Sequence, residues 1–125
     1  IDAPVSGGVA KAREGTLAIM LGGDDENCAR AEPVLRAMGT SVHRCGGIGA
    51  GQAMKALNNL VSAGGFLIAV EALLMGQRFG LDAGLMVDVL NASTGMNNST
   101  QKKMRQFGKV DIPQEAFIAA LKVDS

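Results

Sequence analysis

The chain has 125 residues, with 12 Lys and Arg against 12 Asp and Glu, and neither tryptophan nor tyrosine. Zero net charge and an aromatic content of only four phenylalanines exclude a nucleic-acid surface, and no run of like charge is long enough to serve as a binding tail. The single histidine, His43, and the isolated thiols Cys28 and Cys45 form no metal-ligand spacing, so no metal is expected, and buried free thiols in a reducing cytosol fit the two cysteines better than the one disulfide they could form.

In chain order, residues 1–5 form a weak strand candidate and carry neither a basic nor an apolar signal-peptide region. The chain opens abruptly, as a piece of a larger polypeptide would. Pro4-Val5-Ser6-Gly7-Gly8 ends that strand in a bend whose backbone N–H groups and Ser6 hydroxyl suit a carboxylate. A turn in which Ser6 only caps the next segment explains the same residues. Thr16-Leu17-Ala18-Ile19-Met20-Leu21 is apolar, partly β-branched and flanked by glycines, the pattern of a buried strand. Asp24-Asp25-Glu26 suit the first turn of a helix better than a metal site. Pro33 is disfavoured deep in a helix, so a second short helix is expected over 33–38, closed by Gly39. Residues 40–44 are a further strand candidate.

Cys45-Gly46-Gly47-Ile48-Gly49-Ala50-Gly51 is the natural seam of the chain. It fits neither GxGxxG nor GxxxxGK[ST], so it is a strand-to-helix hinge and not a nucleotide loop. The spacing after it predicts one helix over 52–79, roughly 28 residues and ~40 Å long. Its most apolar stretch, 60–70, is too short to cross a bilayer. Gly64-Gly65 in its middle costs ~1 kcal/mol per glycine, which predicts close approach of another backbone. Asp82 is placed to cap a helix over 83–90, a polar loop is expected over 91–98, and further helices over 99–107 and from Gln114 to about Leu121. Residues 97–100 suit either hydrogen bonding to a polyol or acid, or a self-capped loop. The seven methionines are dispersed as core filler.

Lys55 is the one charged residue between Arg44 and Glu71. At ~100° per residue, Gln52, Lys55, Asn59 and Ser62 share a stripe, with Asn58 at its margin. An ammonium on a segment otherwise fit for burial costs free energy unless it is partnered or used, and lysine is a capable proton carrier. The competing reading is a lysine whose stem lies on apolar neighbours and whose head reaches water.

Together these segments resemble the β-hydroxyacid dehydrogenase family, the group of 3-hydroxyisobutyrate dehydrogenase and tartronate semialdehyde reductase. The resemblance is carried by Asp2-Ala3-Pro4-Val5-Ser6-Gly7-Gly8 with Ala12 and Gly15-Thr16-Leu17. Met20, Gly22-Gly23, Pro33 and Met38-Gly39 follow, and then Gly49-Ala50-Gly51-Gln52, Lys55 and Asn58-Asn59. It implies an α/β remnant of a Rossmann-type domain followed by an all-α domain opened by one long helix. Residues 1–48 would be the C-terminal part of the nucleotide-binding domain. Residues 49–125 would be the N-terminal part of the helical substrate and dimerisation domain.

The implied reaction is NAD- or NADP-dependent interconversion of a small 3-hydroxy acid and its semialdehyde or keto acid in the cytoplasm, by a homo-oligomer formed through the helical domain. No nucleic acid or membrane partner is implied. Lys55 would be the general acid/base, Asn59 would steady lysine and substrate, and Ser6, Gly7 and Gly8 would bind the substrate carboxylate. The family's dinucleotide fingerprint is not in this sequence. Its Lys-Asp pair, expected after a phenylalanine, is split here as Lys122-Val123-Asp124 after Phe117, so Lys122 stays outside the catalytic set. The rival is a catalytically incomplete relative acting as a helical dimerisation module. A 6-phosphogluconate type is disfavoured by Asn58, which stands where those enzymes carry histidine, and an imine reductase by Lys55.

Overall fold

The structure is a computed structural model and describes residues 1–104, the side chain of Lys103 excepted. The expected helix from Gln114 and the doubtful Lys122 therefore lie outside the described residues. The chain forms two compact units that divide between Val61 and Ser62.

The first unit is built on a three-stranded sheet in the order β1 (Val5–Ser6), β2 (Ala18–Gly22), β3 (Ser41–Gly46). β2 runs parallel to β3 and antiparallel to β1, and an isolated bridge between Asp2 and Gly22 extends the antiparallel pairing. The apolar run expected to be buried is buried: Ile19 and Leu21 are fully enclosed, and Leu17, Cys28 and Leu35 complete the core. The six-residue helix α1 (Gly8–Arg13) follows the bend after β1, an element the sequence pattern did not announce.

Between β2 and β3 lies one helix, α2 (Asp25–Arg36), in place of the expected pair. Asp24 caps it, accepting from the Asn27 amide at 2.8 Å. Pro33 sits inside it. Both Pro33 and Ala29, whose carbonyl loses its donor, lie on the exposed face, where water replaces the missing bond. Glu32 accepts from Arg44 of β3 at 3.0 Å and from Arg36 at 2.6 Å, and these two hydrogen bonds hold its carboxyl below the ordinary range.

Helix α3 (Ala50–Arg78) is the long helix that the spacing predicted. Its 29 residues and mean hydropathy of 1.6 over its most apolar window make it long and apolar enough to cross a membrane by composition. This corrects the count over 60–70, which stopped at Asn59 and Glu71 although a span tolerates such residues.

In the second unit, Ala69 and Leu73 of α3, Val87 of α4 (Ala83–Ala92) and Met104 form the core. Asp82 caps α4, accepting from the Leu85 amide at 2.8 Å. The close backbone approach expected at Gly64-Gly65 is not found among the described residues: a methyl group at Gly64 would meet nothing, and one at Gly65 only the Asn97 side chain, at 3.9 Å. Residues 99–103 form a π-helical turn where an α-helix was expected. Asn97 Oδ1 accepts from the amides of Ser99 and Thr100, and the Thr100 hydroxyl donates to the Asn97 carbonyl at 2.9 Å. Such side-chain capture of backbone groups competes with regular α-helical bonding. It also favours the self-capped reading of 97–100.

Candidate active site

The hinge over 46–51 contains glycine, alanine and isoleucine, none of which carries a side-chain acceptor for the amides of a helix start. The first amides of α3 still need acceptors, because the opening turn of a helix leaves four N–H groups unsatisfied. The acceptor comes from the other end of the unit. Asp2 Oδ1 accepts from Gly49 N at 2.6 Å, and Oδ2 accepts from Gln52 N at 2.7 Å. Desolvation pushes the Asp2 carboxyl up, but the hydrogen bonds from Gly49 and Gln52 outweigh it and hold the group below the ordinary carboxylate range.

The carboxylate fits because two glycines face it. A Cβ on Gly22 would strike Asp2 Oδ1, and one on Gly51 would lie 2.6 Å from Oδ2 and collide with the Met20 carbonyl oxygen. Asp2 itself is fixed on β2 by a reciprocal backbone pair with Gly22, at 2.9 and 2.8 Å. The strand segment from Asp2 to Ser6, β2 and the first turn of α3 therefore form one interlocked assembly.

One turn further along α3, Lys55 turns back toward the same segment. Its Nζ donates to the carbonyl oxygen of Val5 at 2.6 Å, and the residue is half-buried. The lysine thus has a partner, and that partner is the residue immediately before Ser6-Gly7-Gly8. Gly7 has φ 141° and Gly8 φ 65°, values that L side chains rarely adopt, so the bend depends on these glycines. No side chain caps α1, and the Ser6 hydroxyl has no hydrogen-bond partner among the described residues. The bend thus keeps donors free beside the amine.

The rest of the expected stripe is less compact. Gln52, Asn59 and Ser62 are exposed, whereas Asn58, expected at its margin, is half-buried like Lys55. No hydrogen bond joins Asn59 to Lys55 among the described residues. Asp2 is the functional candidate that sequence reasoning passed over. Its signal was indirect: a helix start with no cap of its own, and a carboxylate 47 residues upstream of Gly49.

Two family models divide the chain between them. Residues 1–47 match the NAD binding domain of 6-phosphogluconate dehydrogenase. Residues 49–123, more than half of the chain, match the model described as NAD-binding of NADP-dependent 3-hydroxyisobutyrate dehydrogenase. The chain belongs to the β-hydroxyacid dehydrogenase family.

Within this family the mitochondrial 3-hydroxyisobutyrate dehydrogenase of Bos taurus is 47% identical over 95 residues, covering 76% of this chain and 28% of the relative. The Mycobacterium tuberculosis 3-hydroxyisobutyrate dehydrogenase solved with L-serine superposes with a TM-score of 0.72 at 43% identity, over 82% of this chain and 35% of that one. Psf3, solved in complex with NADP+ and 2-OPP, superposes with a TM-score of 0.68 at 30% identity, over 82% and 36%. The chain thus spans about a third of the length of its relatives. The small sheet with helices is the arrangement it shares with these Rossmann-type proteins.

Proposed function

We propose that this chain carries the proton-transfer and carboxylate-binding end of an NAD- or NADP-dependent oxidoreductase that interconverts a small 3-hydroxy acid and its semialdehyde or keto acid. One observation carries the reading: the amine of Lys55 lies at the Val5 carbonyl, 2.6 Å away, directly before the Ser6-Gly7-Gly8 bend. In oxidation Lys55 takes the hydroxyl proton of the substrate, and in reduction it returns it. Ser6 and the amides of Gly7 and Gly8 hold the carboxylate. Asn59 orients lysine and substrate, which requires its exposed amide to turn toward a bound acid.

The bound nicotinamide would supply or accept the hydride at the carbinol carbon. Residues 1–104 offer a proton carrier and anion donors but no glycine-rich phosphate loop, so none of them is assigned to the dinucleotide. We place the domain boundary at 48/49, where the two family models meet, with the α/β remnant before it and the helical domain after it. A cytoplasmic homo-oligomer that buries apolar faces of α3 completes the reading.

The test is spectrophotometric. The intact protein is mixed with NAD+ or NADP+ and a series of small 3-hydroxy acids, and reduced nicotinamide is followed in the near ultraviolet. Turnover with at least one acid is expected, and none with any acid or either cofactor would reject the proposal.

A second reading draws on a different observation. Leu60, Val61 and Ile68 of α3 are 68, 75 and 72% exposed, as they would be in a module that only joins copies of itself. Stable self-association without cofactor binding would favour that reading.

A further inference from the structure

We propose that Asp2 is the positioning residue for Lys55; this rests on the reading of Lys55 as proton carrier. The first two turns of α3 are fastened to the segment from Asp2 to Val5 at two points of opposite polarity. A carboxylate grips the amides of Gly49, immediately before the helix, and Gln52, in its first turn, at 2.6 and 2.7 Å, and a helix ammonium grips a strand carbonyl at 2.6 Å. Gln52, whose amide Asp2 holds, lies three residues before Lys55, on the same face of the helix. Two fixed oxygens set both the rotation and the axial position of that turn, because Oδ1 and Oδ2 hold amides three residues apart. The carboxylate cannot drift, since Gly22 and Gly51 close on either side of it and its backbone is paired to β2.

The bend assigned to the substrate carboxylate starts four residues after Asp2, on the segment that runs on into β1. One carboxylate thus references the amine and the bend to a common frame. Capping by a neighbouring serine in the hinge would satisfy the same amides without that frame. A remote carboxylate therefore does something that a local cap does not.

The experiment separates positioning from mere folding, and from the assigned chemistry. Asp2→Ala and Asp2→Asn variants of the intact protein are treated with acetic anhydride, and acetylation of Lys55 and of the exposed Lys102 is followed by mass spectrometry. Hydrogen exchange at Gly49 and Gln52 is read on the same samples. In Asp2→Ala both amides should lose protection and Lys55 should react faster relative to Lys102. Asp2→Asn keeps one acceptor and should fall between Asp2→Ala and the native protein.

Where turnover is measured, Asp2→Ala should lower kcat about 100-fold, the scale expected of a misplacement of roughly 1 Å, with cofactor KM unchanged. Faster exchange at Gly49 and Gln52 with unchanged Lys55 acetylation would overturn the proposal. So would a folded Asp2→Asn protein with native acetylation and native kcat, a comparison that stands even where Asp2→Ala fails to fold. A native protein without turnover would reject the functional reading alone, because acetylation and exchange report the Asp2–Lys55 linkage without catalysis.

Discussion

Gly51→Ala is the substitution for which composition and structure make opposite forecasts. Alanine is favoured over glycine by about 1 kcal/mol in a helix interior, so propensity alone predicts a gain. The structure predicts a loss. The added methyl would collide with the Met20 carbonyl oxygen and lie 2.6 Å from Asp2 Oδ2 and 3.1 Å from Pro4 Cδ. None of the three is the end of a flexible side chain: Met20 O belongs to β2, Asp2 is pinned by four hydrogen bonds, and Pro4 is cyclic.

Overpacking against atoms that cannot yield costs up to ~3 kcal/mol. Offset by the propensity gain, the net destabilisation is about 2 kcal/mol, or roughly 30-fold in the folding equilibrium. Gly64→Ala in the same helix is the control. Nothing described lies near its Cβ, and it should stabilise by ~1 kcal/mol. Urea unfolding followed by circular dichroism reads both, the chain having no tryptophan or tyrosine for fluorescence. A Gly51→Ala protein at or above native stability would show that the first turn of α3 does not seat against the Met20 carbonyl of β2.

Three other outcomes follow from the same geometry. Ile19→Ala empties a fully enclosed site on the central strand and should cost ~2–5 kcal/mol in the same unfolding assay. Asp2 and Asp24 both have carboxyls held below the ordinary range; for Asp24 the backbone amide of Asn27 is the main cause and its side-chain amide the second. Such groups bind fewer protons folded than unfolded, so their stabilisation is complete above the unfolded pKa, ~4, and is lost as pH falls through the lowered folded value. Thermal melts should be flat above about pH 5 and fall below it, more gently in Asp24→Asn. Ser6→Ala removes one donor from the bend and should raise KM for the hydroxy acid by roughly 5-fold, ~1 kcal/mol, with kcat little changed in steady-state assays.

The elements that announced themselves were those whose local chemistry and tertiary role agree. Leu17, Ile19 and Leu21 of the 16–21 run are apolar because that face of β2 is enclosed in the core, and Asp82 caps α4 from the adjacent position. Pro33 misled because its cost depends on whether the freed carbonyl reaches water, which the sequence does not display. Gly64-Gly65 misled for a related reason. Close approach of a backbone is one cause of glycine in a helix, and among the described glycines of α3 it is Gly51, not Gly64 or Gly65, whose Cβ would collide with a backbone atom. At the candidate site, Lys55 stood out by its isolation in an apolar stretch, and the Ser6-Gly7-Gly8 bend by its composition. Their adjacency was not legible from residues alone, since it is created by Asp2 reaching across the unit to Gly49 and Gln52. No local pattern encodes a cap that distant.

The proton-carrying role of Lys55 is tested most directly by turnover of a Lys55→Ala variant of the intact protein, with the native protein alongside and cofactor affinity measured on both. Proton transfer by a positioned side chain contributes ~10²–10⁴-fold, so kcat should fall by that factor while cofactor affinity holds, and added small primary amines should restore part of the loss. Turnover within a few-fold of native, with no response to added amine, would contradict the account.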